Sequence, residues 1–410
     1  MKSKILPLLI ASLTVTFISY SQQITPEKIN WLRKRIYPIK SINNSDDIGL
    51  NQFFNAIKNA KIIGLGEASH GSHENFETKN KLVKFLAEKD SSFNIYSLES
   101  NMAKAKKIND FIHKKNAPTS NSVLKNTWSI YQTQEFMELL LWMQKHENMN
   151  FYGFDMQYFQ QSIVELKNEL KDDNSLLLIN KIDTILTTTF KLRYKLKKNT
   201  PLKAKHKKTA LKNIKMLEKT ITNITALQKK KWLLQNCTLL KQFINQTSSN
   251  DRDNFMAENV LWIHKQHPTS KILVSAHNLH VEKRLFKQGN IIHQKISENY
   301  ISVGFLIYEG SISAKKGKLQ EMKHSLLDNA PSDSYEFILN QLNEPLFFID
   351  LRNIKKENSS NSKWFLKKRK HREVGSIIYP NSFKTVSLSN MFDIIVFIKK
   401  SSPSLFINLN

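Results

Sequence analysis

Residues 61–80 read "KIIGLGEASHGSHENFETKN", and between Gly66 and Glu74 they set Glu67, His70, His73 and Glu74 among only Gly, Ala and Ser. A strand-to-helix loop needs a turn residue and a cap, not four titratable side chains. Gly64 and Gly66 allow a tight turn, and Ser72 is a suitable N-cap. Beyond it, Phe76, Lys79, Val83 and Leu86 recur at helical spacing. The stretch therefore predicts strand, loop and helix, with ionisable groups held above the strand.

The same pattern repeats outward. Apolar runs at 61–67, 93–100, 151–156, 271–278, 301–308, 345–351 and 393–400 read as buried strands. Helical periodicity separates most of them, as in Phe136, Leu139, Leu140 and Met143. This alternation implies an α/β fold, a mostly parallel sheet flanked by helices. From about Ser162 to Gln246 long Leu/Ile/Lys patterns continue without a strand, broken once by "KKNTPLK" at 197–203. The reading is a Lys-rich helical lobe (162–246) inserted between two parts of one α/β core (22–161 and 247–410).

Four strands end alike: Glu67, Glu99, Asp155 and His277 each close an apolar run. Ligands of open α/β sheets bind beyond the carboxyl ends of the strands, so the four are expected to converge on one crevice. Glu67 beside His70 is the pairing used for general-base work, the carboxylate orienting the ring and stabilising its charged form. Glu74 lies either at the site or simply in the first helical turn, where the dipole favours an anion. His73 reads as an incidental surface residue. Lys79 stands where the helix pattern wants an apolar residue. It either snorkels to the rim or reaches over the crevice to a substrate carbonyl or oxyanion. In "SAHNLHVEKR", His280 follows His277 by three residues, a pair that suits acid–base groups, ligands or a capped turn.

Residues 1–21 have a basic start, an apolar core and small residues at Ser19 and Ser21, the pattern of a secretory leader cut near Ser21. Export to the periplasm or outside the cell is the expectation. The single cysteine, Cys237, permits no intramolecular disulfide and carries no nucleophile signature. The net charge of +27 invites a nucleic-acid reading, but fifteen Lys or Arg against one acid fall between Thr188 and Trp232. No nucleic-acid motif accompanies them, so they read as a solvated helical face, with weak adhesion to an anionic envelope surface as the alternative.

At these residues the chain resembles the erythromycin esterase family. The resemblance rests on "GEASHGSHENFETKNKLVKFL", "LES" at 98–100, "GFDMQ" at 153–157, "RDNFMAENVLWI" at 252–263, "VSAHNLHV" at 274–281 and the tail blocks "REVGSIIYP" and "MFDIIVFI". It implies an α/β core with a helical lobe over a cleft, and hydrolysis of an ester or lactone such as a macrolide. It further implies that His70 activates water and Glu67 orients it, with His277 and Lys79 also catalytic. Glu74, Glu99, Asp155, Arg252 and His280 would contact substrate. Where the family usually carries arginine this chain has Lys79, which keeps the charge and loses the fork.

No cofactor is expected under that reading. Two other classes stay open on the residues alone. One is a Zn or Mn hydrolase with Glu67, His70, Glu99 and His277 as ligands. The other is an exported protein that holds haem, iron or an envelope polymer without catalysis.

Overall fold

The computed structural model describes residues 24–40, 47–115, 120–196, 201–315, 322–379 and 381–409, so the expected leader 1–21 lies outside the described residues. Eleven strands form among them: β1 Tyr37–Pro38, β2 Ile62–Leu65, β3 Ile95–Asn101, β4 Asn150–Asp155, β5 Ile272–Ser275, β6 Tyr300–Ala314, β7 Lys323–Leu326, β8 Leu346–Asp350, β9 Arg369–Arg372, β10 Phe383–Val386 and β11 Ile394–Ser401. Nine make one sheet in the order β1-β8-β11-β6-β2-β5-β3-β4, with β7 paired to β6. From β11 to β4 every neighbour is parallel. β8 runs antiparallel to β11 and pairs with β1 at the edge.

Alternation along the strands builds a core on each face. Ile63 and Leu65 of β2, with Ile394, Val396 and Ile398 of β11, join Leu82, Val83 and Leu86 of the helix His73–Lys89. Ile62, Ile395 and Phe397 join Met256, Val260 and Ile263 of the helix Ser249–Gln266 on the other face. The sheet is thus a middle layer between two helical layers.

Between β4 and β5 the chain forms the helices Gln160–Glu169, Asp173–Leu196, Ala204–Thr222 and Leu227–Asn245. They pack around a core of their own that includes Ile163, Leu166, Ile182, Leu186, Ile214 and Leu240. Cys237 is buried in that core, and burial pushes its thiol up to about 12, so it acts as an apolar packing residue. Ser248 and Asp251 then start the next helix with a capping box, and Asn259 donates to the Phe154 carbonyl (2.9 Å), tying that helix to β4. Among the described residues no helix is long and apolar enough to cross a membrane.

Candidate active site

Register sets the depth of the site. Leu65 of β2 and Leu98 of β3 both pair with Ser275 of β5, so Glu67, Glu99 and His277 emerge just above one common level. The loops from β2 and β5 hold each other: Asn278 N–H donates to the Glu67 carbonyl (3.0 Å). Asn278 also exchanges two side-chain hydrogen bonds with the Phe305 backbone (2.7 and 3.0 Å). A Cβ on Gly71 would lie 1.8 Å from the Ser313 carbonyl oxygen, so only glycine lets the His70 loop lie against β6.

Glu67 is fully buried. Its Oε1 lies 2.5 Å from His70 Nδ1, the Tyr131 hydroxyl donates to the same oxygen (3.4 Å), and Lys79 Nζ donates to Oε2. Burial opposes its charge, but the Lys79 ammonium and then His70 outweigh burial and hold the carboxyl down at about 2. An ionised Glu67 fixes the proton of His70 on Nδ1. The other ring nitrogen of His70 has no partner among the described residues. The ring sits edge-on to Tyr131 (centroids 6.1 Å) and beside His277 (5.1 Å).

Lys79 differs from both sequence expectations. It neither snorkels nor reaches over the crevice: it is 1 % exposed and donates to Glu67 and to Ser275 Oγ (2.9 Å). The reason is the loop before its helix, which folds Glu67 back over the second helical turn. Lys79 is therefore the counter-charge under Glu67.

His277 caps the short helix Asn278–Val281. Its Nδ1 accepts from Leu279 N–H (3.2 Å), and its Nε2 lies 2.7 Å from the Val374 carbonyl, so the ring carries its proton on Nε2. Burial, then the neighbouring His70, push it down to about 4. It stands beside His70 as a neutral ring with both nitrogens engaged.

A second cluster adjoins the first. Arg252 sets Nε and Nη2 on Asp155 Oδ2 (3.2 and 2.7 Å) and Nη2 on Glu99 Oε1 (2.8 Å). His280 Nδ1 lies 2.7 Å from Asp253 Oδ1, and its Nε2 lies 3.3 Å from Glu99 Oε1 and 3.2 Å from Arg252 Nη1. Burial works against a charge on His280, but Glu99 and then the bond to Asp253 prevail and raise it to about 9. Burial likewise works against the charge on Glu99, and His280 and Arg252 hold it well below the carboxylate range.

The raised His280 has a thermodynamic consequence. Its cation stabilises the fold fully below its unfolded value of 6.5, and that contribution is lost as pH rises through about 9. Unfolding free energy should therefore fall by up to about 3 kcal/mol between pH 6.5 and 9 from this group. Urea titrations of wild type and His280→Gln across that range check it, since the variant should lose that part of the slope.

Two residues of the opening stretch face elsewhere. Glu74 lies in the first turn of its helix and takes Ser402 N–H (2.6 Å) and Ser402 Oγ–H (2.7 Å), so it holds the chain near its end and not the crevice. His73 is not incidental: its Nδ1 lies 2.6 Å from Glu135 Oε1. Tyr131, Asp253, Ser275 and Val374 belong to the cluster and escape sequence reasoning. Asp253 could have been found beside Arg252 in "RDNF"; Tyr131 lies in an irregular stretch with no periodic signal.

Among the described residues no group of three or more His, Cys, Asp or Glu side chains is placed to hold a metal ion. The set Glu67, His70, Glu99 and His277 fails as ligands for a physical reason. Lys79 and His70 take the Glu67 oxygens, and main-chain groups take both His277 nitrogens.

A family model described as erythromycin esterase matches residues 89–401, beginning just after the Glu67–Lys79 stretch. "Putative hydrolase YbfO" of Bacillus subtilis is 22% identical, covering 98% of each chain. Erythromycin esterase type II of Escherichia coli is 23% identical, covering 69% of this chain and 78% of its own. Among solved structures, a protein titled succinoglycan biosynthesis protein superposes with a TM-score of 0.78 at 20% identity, covering 94% of this chain and 99% of that one. A histidine-to-asparagine variant of the erythromycin esterase EreC, in its open conformation, gives 0.65 at 14% identity, covering 91% and 99%. These two superpositions establish the shared fold.

Proposed function

The chain belongs to the erythromycin esterase family, and from that premise we propose that it hydrolyses a carboxylic ester, a lactone included, by direct attack of water. Family membership supports a hydrolase. The observation that carries the finer reading is the state of His70: one ring nitrogen is held by a buried, ionised Glu67, and the other has no partner among the described residues.

In this reading water gives a proton to the open nitrogen of His70 as its oxygen bonds to the ester carbonyl carbon. Glu67 stabilises the imidazolium that forms. Collapse of the tetrahedral intermediate breaks the carbon–oxygen bond to the alcohol, and His70 returns the proton to that leaving oxygen. Lys79 is committed to Glu67 and Ser275; Arg252 and His280, beside Glu99, are the cations we assign to the developing oxyanion. Neutral His277 walls the base and fixes where Val374 lies.

The test is oxygen isotope labelling. Hydrolysis in heavy-oxygen water should place one label in the acid product, none in the alcohol, with no acylated protein at any time by intact mass. A trapped acyl-protein would overturn direct water attack. A chain that adds water to no ester or lactone would remove the esterase reading altogether.

A further inference from the structure

Lined in part by the chain that follows Glu99 is a cavity of about 270 Å³ that the proposed reaction does not use. Ser100, Asn101, Lys104, Asn126, Trp128 and Tyr158 are among its lining residues. Its position ties it to the site. Ser100 follows Glu99 on β3, and Trp128 lies three residues before Tyr131, which touches Glu67 and His70.

We propose that this cavity binds an anionic group of the substrate, a phosphate, sulfate or carboxylate carried next to the scissile ester. Four observations carry the assignment. Among the described residues Lys104 is the only charged one in the lining, and no carboxylate pairs with it. Lys104 sits in the first turn of the helix Met102–Ile112, a turn without an acid, where the helix dipole adds positive potential. Ser100 lines the cavity and is fully buried, and among the described residues its hydroxyl has no hydrogen-bond partner. Asn101 donates to the carbonyls of Gln157 and Tyr158 (3.0 Å to the latter), holding Tyr158 at a φ of 68° with its ring against Trp128 (centroids 4.9 Å).

That left-handed backbone at a tyrosine is strained, and it sets an aromatic wall beside the ammonium, 5.9 Å from the Tyr158 centroid. The wall suits the carbon skeleton next to an anion, and the ammonium with the Ser100 hydroxyl suits the anion itself. Burial, and then neighbouring Lys107, lower the pKa of Lys104, as befits a cation lacking its counter-charge. An ester with an ammonium at the same place would be rejected.

The word substrate rests on the esterase reading; the anion site does not. One experiment separates them. On a His70→Ala background, calorimetry should show phenyl phosphate binding and phenol binding far more weakly. Lys104→Gln should weaken phenyl phosphate about tenfold, and Lys104→Arg should retain it. With active protein, the preference for the 4-nitrophenyl monoester of glutaric acid over 4-nitrophenyl hexanoate should fall about tenfold in Lys104→Gln. Phenyl phosphate binding that Lys104→Gln leaves unchanged overturns the assignment, as does hydrolysis of both esters with a preference indifferent to Lys104. Lys104-dependent binding with no ester hydrolysed keeps the anion site and retires the esterase reading.

Discussion

Lys79→Met should lower the unfolding free energy by about 3–5 kcal/mol, because it leaves a buried carboxylate without its counter-charge. Glu67 is fully buried, and Lys79 is the largest influence holding it ionised against burial. Methionine has nearly the length of lysine, so a cavity contributes little and the loss reports the charge. The variant also changes sign on the acid side. In wild type the low value of Glu67, about 2 against 4.5, contributes stability above pH 4.5 that is lost as pH falls toward 2. Without Lys79, burial raises the carboxyl, and acid should no longer cost that stability. Adding Glu67→Gln to Lys79→Met should recover most of the stability and none of the turnover. Urea unfolding at pH 7 and pH 4 measures the stabilities, and an ester-hydrolysis assay the turnover. A loss below about 1 kcal/mol at pH 7 would mean that Lys79 does not secure Glu67.

His70→Ala should lower kcat by about a hundredfold to ten-thousandfold with KM little changed, the result for a group acting only in the transition state. The substitution leaves Glu67 paired with Lys79, so folding should survive, and added imidazole should restore part of the lost rate. His277→Ala is the control from the same cluster. With both nitrogens engaged and its value near 4, that ring has no proton to exchange near neutrality. It should affect KM and the position of Val374 more than kcat. Should His70→Ala retain near-normal turnover while His277→Ala abolishes it, the base has been assigned to the wrong ring.

All seven short apolar runs hold strands, because a buried strand must be apolar on both faces and that pattern is visible in one dimension. The antiparallel direction of β8 was not, since periodicity carries no sense of direction. Nor were β7, β9 and β10: "RKHR" forms β9 by pairing with β10, and Glu336 lies against His371 and accepts from the backbone N–H of Arg372. At the site, the sequence makes Glu67, Glu99, Asp155 and His277 conspicuous, each being ionisable at the end of an apolar run, and His70 by its place beside Glu67. It does not reveal which of them pair. The reading of Lys79 failed there, since its partner is fixed by how the Gly66–Ser72 loop folds back. Tyr131 and Val374 join the cluster through irregular chain that no spacing rule marks.

The contacts of residues 402–405 bear on the order in which the fold can close. Ser402 holds Glu74, Ser404 N–H donates to the Gly71 carbonyl (3.0 Å), and Leu405 N–H donates to Glu135 Oε1 (3.0 Å), the same oxygen that meets His73. The His70 loop is thus bracketed by residues more than three hundred positions downstream. Such long loops close late in folding. During synthesis the turn at Gly71 and the first turn of the following helix would lack these contacts until residue 405 has emerged, while the whole lobe is already made.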